Sequence, residues 1–378
     1  MVLGIRPDVI RASTLIRLLR DELGKDFELI WTGQHYSRNL KDVFFDQLDV
    51  GLPDIDLQIS GTTDAELVAS GIVNLSRHLQ KESPSAVIFL GDTNSVMSCI
   101  AAAQLNIPIL HIEGCMRSFD WRMPEEKYRT VIDHLSDVIF TYTSLYQENG
   151  IREGLEKKRI HIVGNPIVEV LQEFVKREEF KRKSGESLED RNLISRGFYL
   201  ATCHRRENLE SKSALVNIFR LFAEADLPVV LPLGYRTQRA LEDYGIAIPK
   251  NVIVEEPIDY LNFISLCSNS AGVLTDSGTV VEEACILGVP SIQMRISTER
   301  PEVYDVNSSI KFDPIECYDY QLIYKKLKAL VWASWEQPFG DGKSSERIAE
   351  IIFEMRRLNK FGTHSPDFSN IGTKIAFQ

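Results

Sequence analysis

The sequence has no apolar run approaching the ~18 residues that a membrane-crossing helix needs, so no helical span is expected. Cysteine is sparse. The six that occur (Cys99, Cys115, Cys203, Cys267, Cys285, Cys317) form no CxxC pair and have no histidine at zinc-ligand spacing, which argues against a disulfide framework or a structural zinc site. They are expected to be reduced and packed as small hydrophobes. Positive charge is also in deficit, with 43 Lys and Arg against 54 Asp and Glu and a formal net charge of −11. That balance argues against a general polyanion-binding surface, hence against a nucleic-acid partner, while leaving room for a local basic pocket. The opening MVLGIRPDVIRAS lacks the apolar core of a secretory leader, so a cytoplasmic protein without membrane partner is expected. Only Met1, Val2 and Leu3 precede Gly4, fewer than the ~5 residues of an ordinary buried strand. Part of a first strand is therefore expected to be lost or assigned elsewhere.

What is present is a globular composition, 44% apolar and 26% charged, over 378 residues, a length that one core rarely serves. Short β-branched runs alternate with longer amphipathic stretches, the pattern of βα units around parallel sheets. In the first half the strand candidates are Phe27–Trp31, Ala86–Leu90, Ile107–Ile112, Val138–Tyr142 and Ile160–Val163, with helices over Asp64–Lys81 and Asn94–Gln104. The second half repeats the scheme: strands Phe198–Thr202, Val229–Leu233, Val252–Val254, Gly272–Thr275 and Ser291–Met294, and helices Ser213–Ala225, Arg236–Tyr244, Tyr260–Cys267 and Thr279–Leu287. The charged stretch Phe174–Arg196 reads as a solvated helix end and linker. An α/β fold of two Rossmann-like domains follows, 1–168 and 169–343, with a helix over 344–360 and an extended tail over 361–378.

Two turns look built for an anion. In Gly4-Ile5-Arg6-Pro7-Asp8 a strand ends in glycine and Arg6 would stand at the positive end of a helix opened by Pro7. In Thr275-Asp276-Ser277-Gly278-Thr279 a strand runs into a small-residue turn whose N–H groups and hydroxyls could cradle a phosphate, with Glu283 a turn later able to take ribose hydroxyls. Ordinary N-caps use the same residues. One turn per domain suggests a diphosphate held by both.

With these turns in view, the sequence resembles the non-hydrolysing UDP-N-acetylglucosamine 2-epimerases to about residue 358. The motifs are Gly4-Ile5-Arg6-Pro7, Thr32-Gly33-Gln34-His35, Gly91-Asp92-Thr93, His111-Ile112-Glu113, Pro124-Glu125-Glu126 with Arg129, Gly164-Asn165, His204-Arg205-Arg206-Glu207-Asn208, Asp276-Ser277-Gly278 with Glu282-Glu283, and Glu299-Arg300-Pro301-Glu302. Their order and spacing together are specific. The resemblance implies a glycosyltransferase-B arrangement with a cleft between the domains, the C-terminal helix crossing back onto the first, a homodimer, and a UDP-sugar substrate without metal or cofactor. It assigns UDP to Arg6, Arg11, Arg205, Phe263, Ser277, Gly278, Thr279 and Glu283, and chemistry to Asp92, Glu113, Glu125, Arg129 and His204.

The chemistry makes sense of those residue types. C2 of an N-acetylhexosamine is not next to a carbonyl, so the family route eliminates UDP to a 2-acetamidoglucal and adds it back from the other face. Arginines and helix N-termini suit the departing diphosphate, and carboxylates suit proton transfer at C2. Each has a plainer alternative. Asp92 could cap the helix near Asn94, and Glu125 and Glu126 could complement a helix dipole, with Glu125 the preferred functional residue. Glu113 needs a partner at a buried strand end, and nothing around His204 is apolar. His111 and His134 read as packing residues or supports of the site.

Departures from the family pattern put the sugar in question: Ile5, Arg11, Cys115, Tyr128 and Thr279 replace more usual residues. Several segments, including Phe119-Asp120-Trp121-Arg122, look more like relatives that epimerise UDP-N-acetylfucosamine precursors or UDP-diacetamido-uronic acids. The Arg-Gln pair and the histidine that hold an activating nucleotide sugar in bacterial members align with Thr62-Thr63 and Gly234, so allosteric activation is not expected.

Overall fold

The structure, a computed structural model, describes residues 1–33, 45, 48–316, 318–331 and 335–361. Gln34, His35, most of the segment 43–48, Cys317 and the tail from 362 lie outside the described residues. The chain forms two compact units. The first holds Met1–Met116, Trp121–Pro166 and the segment from Lys343, and the second holds Arg117–Asp120 and Ile167–Gly342.

In the first unit, in chain order, stand β1 (Val2–Leu3), α1 (Arg6–Leu23), β2 (Ile30–Trp31), β3 (Ile55–Asp56), α2 (Asp64–Glu82), β4 (Val87–Leu90), α3 (Cys99–Gln104), β5 (Ile109–Ile112), α4 (Pro124–Leu135), β6 (Val138–Thr141), α5 (Ser144–Arg152) and β7 (Ile160–Ile162). The seven strands run in the order β3-β2-β1-β4-β5-β6-β7, all neighbours parallel. A first strand does form at Val2–Leu3, paired with Ile30–Trp31 on one side and with Phe89 on the other. The Asn94–Gln104 region opens as a 3-10 turn over Asn94–Ser98 before α3. Thr62 and Thr63 serve α2: Thr63 caps it by accepting the Glu66 N–H, while Thr62 Oγ1 donates to Glu66 Oε2 at 2.6 Å. Those bonds, the Thr62 hydroxyl foremost, hold the Glu66 carboxyl down to about 2.

The second unit contains α6 (Ile167–Lys176), α7 (Glu178–Glu189), β8 (Tyr199–Thr202), α8 (Arg206–Leu209), α9 (Lys212–Ala223), β9 (Val229–Pro232), α10 (Tyr235–Tyr244), β10 (Val252–Glu255), α11 (Tyr260–Asn269), β11 (Gly272–Thr275), α12 (Gly278–Ile286), β12 (Ser291–Met294), α13 (Glu302–Asp305), β13 (Ser309–Phe312) and α14 (Tyr320–Val331). Its six-stranded order, β10-β9-β8-β11-β12-β13, repeats the first. In both sheets the chain starts in the middle, winds one way, then crosses to wind the other, so each has a topological switch point where ligands collect. The second core gathers Tyr199, Ala201, Leu215, Ile218, Phe222, Leu231 and Leu274 beneath its sheet.

One expectation is corrected. The charged stretch after Phe174 is not a linker: Glu178–Glu189 is a helix that packs on α11, with Asn269 Nδ2 donating to Ser184 Oγ at 2.7 Å. Leu188 and Leu193 pack against the buried Phe198 and Leu266. The last helix, α15 (Ser344–Leu358), packs against α1, and Arg347 donates to the Val163 carbonyl at 3.1 Å. The five described cysteines are buried. Among the described residues no helix is long and apolar enough to cross a membrane.

Candidate functional site

In the first unit the switch point lies between β1 and β4, and the residues just beyond the strand ends converge there. Arg6 begins α1, and Arg11, one and a half turns on, is 4% exposed. Asp92 follows β4, and Glu113, 1% exposed, follows β5. Arg129, from α4, bridges the two carboxylates: its Nη2 is 2.5 Å from Asp92 Oδ2 and 2.7 Å from Glu113 Oε1. The second Glu113 oxygen accepts the Tyr142 hydroxyl at 3.0 Å and pairs with Arg11. Arg11 also donates to Asp8 Oδ1 at 2.8 Å. Asp92 is therefore not a helix cap. The residue preceding the 3-10 turn is Thr93, and the Asp92 carboxylate goes to Arg129.

Glu113 reaches this place through backbone in the left-handed region, φ 74°, as does Cys115 at φ 60°. Such angles are unfavourable for residues with side chains and persist where the surroundings hold them. Glu125 stands half-buried in the first turn of α4, while its neighbour Glu126 is 2% exposed. Burial first, then Asp64 and Glu125, push the Tyr128 phenol up.

Asp8 was not singled out from sequence, yet it anchors Arg11. Its carboxyl is raised to about 6 by burial, which outweighs the Arg11 guanidinium and is reinforced by Asp92. The unfolded carboxyl ionises near 3.8, so between pH ~4 and ~6 the folded state holds the extra proton and this group's contribution to stability falls as pH rises, by about 3 kcal/mol in all. Asp8→Asn keeps an acceptor for Arg11 and removes the buried charge. It is expected to melt higher than the wild type at pH 7.5, with the gap closing below pH ~4; a lower midpoint at pH 7.5 would refute this.

The second unit's switch point lies between β8 and β11. Asp276, fully buried after β11, accepts the N–H groups of His204 at 2.9 Å and Arg205 at 2.9 Å and the Asn208 amide at 3.2 Å. It thereby shapes the turn after β8. The His204 ring itself is 56% exposed, with Nδ1 3.5 Å from Asp276 Oδ1. Ser277 caps α12 by accepting the Val280 N–H. First-turn amides have no intrahelical acceptor, so Gly278 and Thr279 present the positive end of this helix. Glu283 is buried and accepts the Tyr260 hydroxyl at 2.7 Å, tying the start of α11 to the middle of α12. Phe263 lies half-buried on α11, against a core containing Phe198, Leu200 and Leu266.

Beside this turn lies an ion-pair chain in which Glu282, Glu299 and Arg300 belong to the quoted motifs and Arg295 does not. Arg300 meets Glu282 at 2.7 Å and Glu299 at 3.3 Å, and Glu299 meets Arg295 at 2.9 Å, all four side chains buried. Burial alone would raise the Glu299 carboxyl, but Arg295, Arg300 and Arg205 hold it well below the usual range. A Cβ on Gly278 would lie 2.9 Å from Arg300 Nη1 and 3.2 Å from its Cζ. Arg300 is held from behind and has little room to yield. Gly278→Ala is therefore expected to cost about 1–3 kcal/mol of stability, read from a melting curve. An unchanged midpoint would show that Arg300 moves freely.

Sequence reading thus named Arg11, Asp92, Glu113 and Arg129, which the fold joins, and His204, Arg205 and Ser277, which meet around Asp276. It missed Asp8, Tyr142, Tyr260 and the Arg295–Glu299–Arg300–Glu282 chain. An aromatic at a strand end, such as Tyr142, gives no signal separate from core packing. Among the described residues no three His, Cys, Asp or Glu side chains are grouped to hold a metal.

Known proteins resemble this chain along most of its length. A family model described as UDP-N-acetylglucosamine 2-epimerase matches residues 18–353. The UDP-N-acetylglucosamine 2-epimerase of Methanocaldococcus jannaschii is 36% identical over 366 residues, covering 93% of this chain and 98% of that protein. The UDP-2,3-diacetamido-2,3-dideoxy-D-glucuronate 2-epimerase of Pseudomonas aeruginosa is 33% identical over 361 residues, covering 94% and 99%. The M. jannaschii UDP-GlcNAc 2-epimerase crystallised with UDP-GlcNAc and UDP superposes with a TM-score of 0.83 at 34% identity, over 93% of this chain and 98% of that one. WaaG, a lipopolysaccharide glycosyltransferase, shares the fold alone, at 10% identity and a TM-score of 0.57. With two matching doubly wound sheets and this likeness along almost its whole length, the chain belongs to the UDP-N-acetylglucosamine 2-epimerase family of isomerases.

Proposed function

We propose that the chain inverts C2 of a UDP-N-acetylhexosamine without hydrolysis, with UDP-GlcNAc to UDP-ManNAc as the default reaction. The C2 hydrogen leaves as a proton to a carboxylate as the C1–O bond breaks and its electron pair departs with UDP. The resulting 2-acetamidoglucal takes UDP back at C1 and a proton at C2 from the opposite face. The observation that carries this reading is the pair of carboxylates, Asp92 and Glu113, held by one buried arginine beside a switch point. Glu125 and His204 complete the proton-handling set, and Arg129 orients it. Arg6, Arg11, Arg205, Phe263, Ser277, Gly278, Thr279 and Glu283 hold UDP, and the positive end of α12 favours the leaving diphosphate.

Incubation with UDP-GlcNAc in D2O tests the reading, since elimination and re-addition leave deuterium at C2. No exchange with any UDP-N-acetylhexosamine would sink it. A second substrate class, a UDP-diacetamido-uronic acid or UDP-N-acetylfucosamine type sugar, is favoured by the 33% identical P. aeruginosa relative, close to the 36% of the M. jannaschii one. Exchange rates across a panel of these sugars choose between them. A glycosyltransferase would have no need of the paired carboxylates and would show transfer to an acceptor with no C2 exchange. We further propose a homodimer in the cytoplasm. Six cysteines scattered without a CxxC pair suit a reducing compartment, and light scattering of the purified chain checks its size.

A further inference from the structure

A second buried pair in the first unit lies outside this chemistry. His111, on β5, and Asp133, on α4, are both fully buried, with Nδ1 2.8 Å from Oδ1. The other ring nitrogen, Nε2, is 2.9 Å from the Gly91 carbonyl oxygen. A carbonyl can only accept, so Nε2 carries a hydrogen and donates it, and a further hydrogen lies between Nδ1 and the carboxyl group. The second carboxyl oxygen accepts the Cys115 N–H at 2.9 Å. Gly114 permits this approach: a Cβ there would lie 2.9 Å from Asp133 Oδ1 and 3.3 Å from His111 Nδ1.

Two turns are thereby fastened to one point. Gly91 directly precedes Asp92, and Cys115 closes the left-handed turn that carries Glu113. The Phe140 carbonyl holds the other side of that turn, accepting the Glu113 and Gly114 N–H groups at 3.1 Å. Left-handed backbone at Glu113 and Cys115 needs such fastening to persist. We infer that Asp133 and His111 are positioning residues. Through the Cys115 N–H and the Gly91 carbonyl they set where the Glu113 and Asp92 carboxylates stand for Arg129 to bridge. The activity arm of the test below rests on the epimerase reading, whereas the structural arm does not.

Asp133→Asn can keep every bond, its oxygen accepting the Cys115 N–H and its amide donating to an unprotonated Nδ1. Asp133→Ala removes both. Asp133→Asn is expected to keep kcat within about 3-fold of wild type and Asp133→Ala to lose about 100-fold, with KM moved less than about 3-fold in each. Amide hydrogen exchange across residues 113–115 should quicken in Asp133→Ala and stay slow in Asp133→Asn. A pair that passes a proton during the reaction would cripple Asp133→Asn as deeply as Asp133→Ala, which overturns the positioning role. Wild-type kcat and protection in Asp133→Ala would overturn it too. If Asp133→Ala does not fold, His111→Asn carries the test, because its amide retains Asp133 and loses only the Gly91 arm. Its kcat should then fall about 10-fold at unchanged KM, and a wild-type kcat overturns the inference. Absence of C2 exchange in the wild type would sink the epimerase reading alone, and amide protection would still decide for the pair.

Discussion

Glu113→Gln is expected to lower C2 exchange about a thousandfold or more and to lower the thermal midpoint by about 5–10 °C. The first effect follows from removing a carboxylate proposed to move the C2 proton. The second comes from the structure. Glu113 is 1% exposed and takes Arg11, Arg129 and the Tyr142 hydroxyl. Glutamine can accept from only one side and turns an N–H2 toward a guanidinium, which breaks a buried ion pair at a cost of about 3 kcal/mol. Arg129 retains Asp92 and Arg11 retains Asp8, so the fold is expected to survive. Deuterium incorporation by NMR and a melting curve read the two effects separately. Wild-type exchange would remove Glu113 from the chemistry, and a wild-type midpoint would show that its ion pairs contribute nothing to stability.

His204→Ala is expected to lower kcat about a hundredfold or more and to leave the unfolding free energy within about 0.5 kcal/mol of wild type. Its ring is 56% exposed and makes one long approach to Asp276. The bonds that shape its turn come from backbone N–H groups and from Asn208, and all survive truncation of the ring. The contrast with Glu113 is diagnostic, because one side chain is a buried hub of charges and the other is not. Full activity would exclude His204 as a proton-handling or diphosphate-facing group, and a large loss of stability would show that the ring supports the turn.

Much of the architecture was legible because it depends on short-range rules. Ten strand positions followed from β-branched runs, and Asp64–Glu82 and Ser344–Leu358 from apolar residues at helical spacing. Two strands escaped. Ile55–Asp56 is only two residues long, and Ser309–Phe312 puts an exposed lysine on the sheet edge. The helix Glu178–Glu189 reads as a linker in sequence because most of its residues are polar and its few apolar ones, such as Leu188, find their partners only in the folded second core. At the candidate site the strand-end carboxylates and the small-residue turn at Ser277 were legible for the same local reason: in a doubly wound sheet, side chains just past strand ends gather at the switch point.

What the sequence by itself determined is therefore the α/β class, the two-unit plan, the family, and the residue types that stand at strand ends. Only the tertiary structure decided which of them meet. Arg129 bridging Asp92 and Glu113, Asp276 gathering the His204 and Arg205 amides, and Asp133 with His111 fastening two turns all join residues 16 or more positions apart. Periodicity and turn chemistry act over a few residues, whereas these contacts depend on sheet order, which sets β4 beside β1 and β11 beside β8. The energetics turn on that order too, because a carboxylate that the sequence shows as one charge becomes, once buried between two arginines, part of the stability of the unit that holds it.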